Sequence, residues 1–182
     1  MSESTEEYRV LCVDDEPRVL DGIRRALGMN FQVTTAEGGE RALALLDGPE
    51  RFAVTISDMR MPGMDGATYL ERAAEKAPDM VRLLLTGQAE LQAAIRAINL
   101  GRIFRFLTKP CDAETLQRAV EDAVEQHRLI RAERELLEQT VYGCVNVLTE
   151  MLSLVNPVAF ARAGRILVTG RVTDGDGRPI RK

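Results

Sequence analysis

Short apolar runs alternate along the chain with segments whose apolar residues recur every three or four positions. The runs are Tyr8–Val13, Phe31–Thr35, Phe52–Ser57, Val81–Thr86 and Ile103–Thr108. Each is too short to make a convincing helix and too continuously apolar for a strand with one wet face, which is the pattern of strands buried on both sides. Between the runs, Val19, Ile23 and Leu27 repeat at helical spacing. Ala42, Leu45 and Leu46 share a helical face, as do Leu70, Ala73, Ala74 and Ala77, and then Leu91, Ala94, Ile95 and Ile98. Turn formers separate the segments: Gly28-Met29-Asn30, Asp47-Gly48-Pro49 and Pro78-Asp79. Strand and helix in alternation predict an α/β fold, a doubly wound five-stranded parallel sheet with five helices, over residues 7–126.

The last helical segment does not stop where such a domain would. Asp112 is a candidate N-cap, with Thr115 one turn on. From there a seam at heptad spacing runs through Leu116, Val120, Ala123, His127, Ile130, Arg134, Leu137, Val141, Cys144, Leu148, Met151 and Val155, interrupted only by His127 and Arg134. The pattern predicts a helical extension over 127–156 and a parallel coiled-coil homodimer formed through the 112–156 helix. The alternative is a single helix folded back on its own domain. A lone histidine on such a seam reads as a polar interruption that specifies register, and no chemistry is assigned to it. Asn156-Pro157 ends or kinks the helix, and 157–182 reads as a short helix followed by a hairpin-like or flexible tail. Residues 1–6 are expected to be disordered.

Composition narrows the chemistry. The 182 residues carry 28 acidic and 24 basic side chains, a net charge of −4, and no basic stripe, so no nucleic-acid partner is evident. Three cysteines, Cys12, Cys111 and Cys144, are too scattered for a disulfide framework or a zinc site. With no signal peptide and no apolar run of membrane length, a cytoplasmic protein without a membrane partner is expected. The single histidine excludes His-rich metal hydrolases and a histidine phosphorelay of more than one step. Carboxylates and lysine must do the work.

They gather at the strand ends. The first strand ends in Asp14-Asp15, the third in Asp58, the fourth in Thr86 and the fifth in Lys109-Pro110. In a doubly wound sheet the binding crevice lies outside those ends. Three carboxylates there would repel one another unless a hard cation joined them, and Mg²⁺ suits oxygen ligands. A carboxylate nucleophile, a cation, a lysine and a hydroxyl together can hold a phosphoryl group. Taken singly, Asp14-Asp15 could cap the next helix, Asp58 could be a turn residue, Lys109 a solvated charge and Phe106 a core ring. Independent turn residues have no reason to gather at one sheet edge.

Val13-Asp14-Asp15-Glu16-Pro17, Asp58-Met59-Arg60-Met61-Pro62-Gly63-Met64-Asp65-Gly66, Leu85-Thr86-Gly87 and Lys109-Pro110 together resemble the response-regulator receiver domain, a flavodoxin-like fold, over residues 7–126. The resemblance implies that Asp58 accepts a phosphoryl group from a sensor histidine kinase. It implies that Asp14, Asp15, Asp58 and the backbone carbonyl of Arg60 hold Mg²⁺, Asp14 through water. Lys109 would hold a phosphoryl oxygen before a cis peptide bond to Pro110. Thr86 and Phe106 would switch, changing the surface formed by the fourth helix, the fifth strand and the fifth helix. No separate catalytic domain is visible, so the expected product is a signal rather than an enzyme's turnover. The Gly101–Cys111 stretch and residues 136–165 are similar to receivers joined to HD or HD-GYP phosphodiesterase modules, yet no histidine follows His127 to bind the metals of such a module. Two other readings stand beside the switch: a constitutive helical adaptor with a vestigial receiver, and the truncated regulatory part of an HD-type cyclic-dinucleotide phosphodiesterase.

Overall fold

The computed structural model describes residues 8–87 and 103–155, side chains included as far as Met151. The predicted helix around Leu91–Ile98, the N-terminal residues 1–6 and the tail 157–182 lie outside the described residues. The chain divides into two units, Met1–Ala132 and Glu133–Lys182. In the first, strands β1 (Arg9–Asp14), β2 (Gln32–Glu37), β3 (Val54–Asp58), β4 (Val81–Thr86) and β5 (Arg105–Thr108) form one parallel sheet in the order β2-β1-β3-β4-β5. The described helices are α1 (Pro17–Leu27), α2 (Gly39–Leu46), α3 (Gly66–Lys76) and α4 (Ala113–Val155), so the fifth helix of the sequence reading is α4 here. The alternating pattern predicts a doubly wound parallel sheet, and the order is the flavodoxin-like one that the receiver resemblance implies.

The strand periodicity sorts the core into two layers. Val10 and Cys12 of β1, Val54 and Ile56 of β3, and Leu83 and Leu85 of β4 face α1 and the start of α4. Leu11, Val13 and Leu84 point the other way, against Ala42 and Leu43 of α2 and Tyr69, Leu70 and Ala73 of α3. Alternation along a strand makes both layers from one sequence run, which explains why β1, β3 and β4 read as continuously apolar. The edge strands β2 and β5 mix buried and exposed positions. Helix α1 starts on Pro17 and buries Leu20, Ile23 and Leu27, each worth about 1.5–3 kcal/mol.

Three helical faces differ in detail from the spacing read in the sequence. In α1 Leu20 rather than Val19 is fully buried. In α2 the buried face is Gly39, Ala42 and Leu43, with Leu45 and Leu46 half-buried, because Gly39 lies against Met64 and Tyr69. In α3 the face begins earlier, at Gly66 and Tyr69. An apolar stripe about 100° wide leaves room for such rotations, and the neighbours decide which side of it is covered.

The heptad of α4 splits. Leu116, Val120 and Ala123, with Ala119 and Val124, are buried on their own sheet, and Ile130 packs beside them. Thr115 donates its backbone N–H to Asp112 Oδ1 at 2.8 Å, which caps the helix start. In the second unit Leu136, Leu137, Val141, Tyr142, Val145, Val147, Leu148 and Met151 are exposed. No helix among the described residues is long and apolar enough to cross a membrane.

Candidate functional site

Strand order reverses between β1 and β3, so their carboxyl ends open onto the crevice of a doubly wound sheet. Asp14 closes β1 and Asp58 closes β3. Both are buried, at 1% and 7% exposure, a costly position for a carboxylate unless its oxygens are partnered. They are. Glu16 donates its backbone N–H to Asp14 Oδ1 at 2.9 Å, and Arg60 donates its own to Asp58 Oδ2 at 2.9 Å. The remaining oxygens face one cation: Lys109 Nζ lies 3.0 Å from Asp14 Oδ2 and 2.6 Å from Asp58 Oδ1. Asp14 therefore does not cap α1 with its side chain, and the helix begins without any side-chain cap.

Lys109 is held from two sides. Its backbone N–H donates to the carbonyl of Thr86, the last residue of β4, at 2.8 Å, and its peptide bond to Pro110 is cis. Partial burial works against its charge, but the hydrogen bonds to Asp58 and Asp14 and the charges of those carboxylates outweigh it. The ammonium stays charged to a pH above the ordinary lysine range.

Asp15 stands apart. It is exposed and lines an open cavity of about 590 Å³ with Met59, Arg60, Met61, Pro62 and Asp65. The structure thus joins Asp14, Asp58 and Lys109 into one cluster, with Asp15 on the wet side of the same rim. No group of three acidic, histidine or cysteine side chains forms a ready cation cage among the described residues. The donor set nevertheless fits a hard divalent ion. It is all oxygen, and each carboxylate oxygen of Asp14 and Asp58 accepts one described bond and has a second lone pair left.

Thr86 is fully buried, and its hydroxyl donates to the Gly87 carbonyl at 3.2 Å. Phe106, on the neighbouring strand β5, is half-buried against the layer that contains Leu84 and Ile103. Arg60 is exposed. The loop after β3 is tightly built. Gly66 donates to the Met59 carbonyl at 3.0 Å, Asp65 caps α3 by accepting from Thr68 N–H at 2.8 Å, and Met59, Met61 and Met64 are all buried. Sequence reasoning passed over this support. The Asp65-x-x-Thr68 spacing ahead of an apolar repeat was its available signal.

The family description of the response regulator receiver domain matches residues 10–121. The hydrogenase transcriptional regulatory protein HoxA of Cupriavidus necator is 34% identical over 126 residues, 69% of this chain and 26% of that protein. The chain thus spans about a quarter of that curated relative. A crystal structure described as an adenylate cyclase from Rhodopirellula baltica superposes with a TM-score of 0.70 at 40% identity, covering 71% of this chain and 96% of that one. The signal receiver domain of an HD domain-containing protein from Pseudomonas fluorescens Pf-5 gives a TM-score of 0.62 at 33% identity, over 66% and 97%.

Proposed function

The chain belongs to the response regulator receiver family, and on that premise we propose that it is a two-component response regulator whose Asp58 accepts a phosphoryl group from a sensor histidine kinase. One observation carries the reading: a single ammonium, that of Lys109, ion-pairs with the buried carboxylates at the ends of both β1 and β3. A structural lysine gains little from two buried acids, whereas an anion-transfer site needs that density of opposed charge.

In the transfer, an Asp58 oxygen attacks phosphorus in line, the P–N bond of the phosphohistidine breaks, and the imidazole leaves with that electron pair. An O–P bond replaces it. Lys109 neutralises the charge on the transferring oxygens, and the Arg60 N–H, already on Asp58 Oδ2, keeps the carboxylate oriented. Receiver domains generally use Mg²⁺ for this chemistry, where it offsets negative charge on the phosphoryl oxygens. Asp14, Asp15, Asp58 and the Arg60 carbonyl would hold it. The Thr86 hydroxyl, now on Gly87, would turn to the phosphoryl group and Phe106 would follow inward. Intact Asp14, Asp15, Asp58, Thr86 and Lys109 argue against a vestigial receiver.

The second unit suits self-association. Its seam of Leu137, Val141, Cys144, Leu148 and Met151 is exposed, and Thr140 and Thr149 turn their hydroxyls onto the Leu136 and Val145 carbonyls at 2.8 and 2.6 Å. Both hydroxyls are thereby satisfied within the helix. A homodimer of a cytoplasmic regulator follows as the reading. A second reading, the regulatory part of an HD-type phosphodiesterase, draws on the likeness to the receiver of an HD domain-containing protein.

Incubation with acetyl phosphate and Mg²⁺ is expected to add the mass of one phosphoryl group. Asp58→Asn or a chelator is expected to abolish the gain, and Lys109→Ala to slow it by about a hundredfold or more. An undiminished gain in Asp58→Asn sinks the assignment.

A further inference from the structure

The sequence reads His127 as a polar break in a pairing seam, but its ring is engaged elsewhere. His127 Nδ1 lies 2.7 Å from the backbone oxygen of Asp79, in the turn between α3 and β4. A carbonyl oxygen only accepts, so Nδ1 carries the proton and donates. The same ring stands edge-on to Tyr8, with centroids 6.3 Å apart and planes at 81°. Tyr8 leads into β1 and Asp79 into β4. Both lie at the amino ends of the strands, the pole of the sheet opposite Asp58 and Lys109.

His127 also marks a boundary along α4. On the seam itself, Ala123 before it is fully buried, while Leu137, beyond it, is 60% exposed. Ile130 is the last residue of the helix that packs on the core. The heptad spacing nevertheless runs without a shift from Leu116 through His127 and Ile130 to Leu137. One seam is therefore divided between two uses, and the division falls one step past the histidine, after Ile130.

We propose that His127 is a clasp: held between the Asp79 carbonyl and the Tyr8 ring, it fastens the root of the helical extension to the receiver and sets where the seam becomes available to a second copy. This rests on the reading that the second unit pairs with a second copy. With the clasp closed, pairing starts beyond residue 130. When it opens, residues 127 and 130 join the seam and the paired length grows by one heptad. His127 is thus a positioning residue, with no part in phosphoryl transfer.

The test uses the full chain and two readouts. His127→Ala is expected to speed amide exchange over residues 125–131 by about tenfold while residues 116–124 keep their protection. It is also expected to tighten self-association in sedimentation. His127→Asn, which keeps a donor near the position of Nδ1, restores slow exchange and the weaker association. Tyr8→Leu, which leaves the helix sequence intact, reproduces the local exchange pattern. Unchanged exchange in His127→Ala overturns the proposal. So does loss of protection across the whole of 116–131, which would make the histidine a stability residue only. Faster local exchange in a protein that stays monomeric upholds the clasp as a fastening and contradicts the pairing reading instead.

Discussion

Gly66 shows how tightly single residues hold Asp58 in place. A methyl group there would sit 2.0 Å from the Asp58 carbonyl oxygen and 3.0 Å from Met59 Cα. Both neighbours are backbone and cannot swing away. Gly66→Ala is expected to cost about 1–3 kcal/mol, read as a lower urea midpoint, and to slow phosphorylation as the loop shifts. Gly22 is the contrast. It lies inside α1 with nothing within 4 Å of an added methyl, so Gly22→Ala is expected to stabilise by about 0.5–1 kcal/mol and leave phosphorylation alone. The cysteines give a second residue-scale prediction. Burial pushes the Cys12 thiol up to about 12, only partly offset by the Arg24 charge, and burial also raises Cys111, while Cys144 is exposed. A thiol reagent at pH 8 is expected to modify Cys144 first, Cys111 more slowly and Cys12 only on unfolding. Because folding holds Cys12 protonated, its contribution to stability is complete below about pH 9 and is lost as pH rises from there towards 12.

Among the elements, α4 is the informative one. Its first half is a receiver helix, buried through Leu116, Ala119, Val120, Ala123 and Val124. Its second half shows the same spacing with its apolar side chains exposed. Val141→Asp combined with Leu148→Asp is expected to abolish self-association in sedimentation while the thermal midpoint of the receiver changes little. A dimer that survives this pair of changes contradicts the seam. The central strands β1, β3 and β4 were legible as contiguous apolar runs, the edge strands β2 and β5 as β-type stretches at the same spacing, and the capping of α4 because Asp112 and Thr115 sit three apart. What each stretch of α4 packs against was not legible, since heptad spacing is the same whether the covering surface is the helix's own sheet or another chain. The exact face of α2 was hidden for a related reason: Gly39 carries no apolar signal, yet it is buried because Met64 and Tyr69 need the space.

On the scale of the whole molecule, the sheet brings together residues that are far apart in sequence. Asp14 and Lys109 are separated by 95 positions and meet at 3.0 Å because β1 and β5 both end at the same rim. The motif order made the cluster of Asp14, Asp58 and Lys109 readable. The exposed stance of Asp15 and the contact of His127 with Asp79 were not, because side-chain direction and turn packing leave no periodic trace. The acidic surplus of the composition has a local meaning here, two carboxylates held on one lysine. His127 meets Tyr8 and Asp79 at the opposite pole of the sheet from that cluster. The most direct test of the central claim is to phosphorylate the full chain with acetyl phosphate and Mg²⁺, reduce the acyl phosphate with borohydride, and locate the reduced residue by peptide mass spectrometry. The account predicts the change on Asp58 alone; reduction at Asp14, Asp15 or any other carboxylate in its place would contradict it.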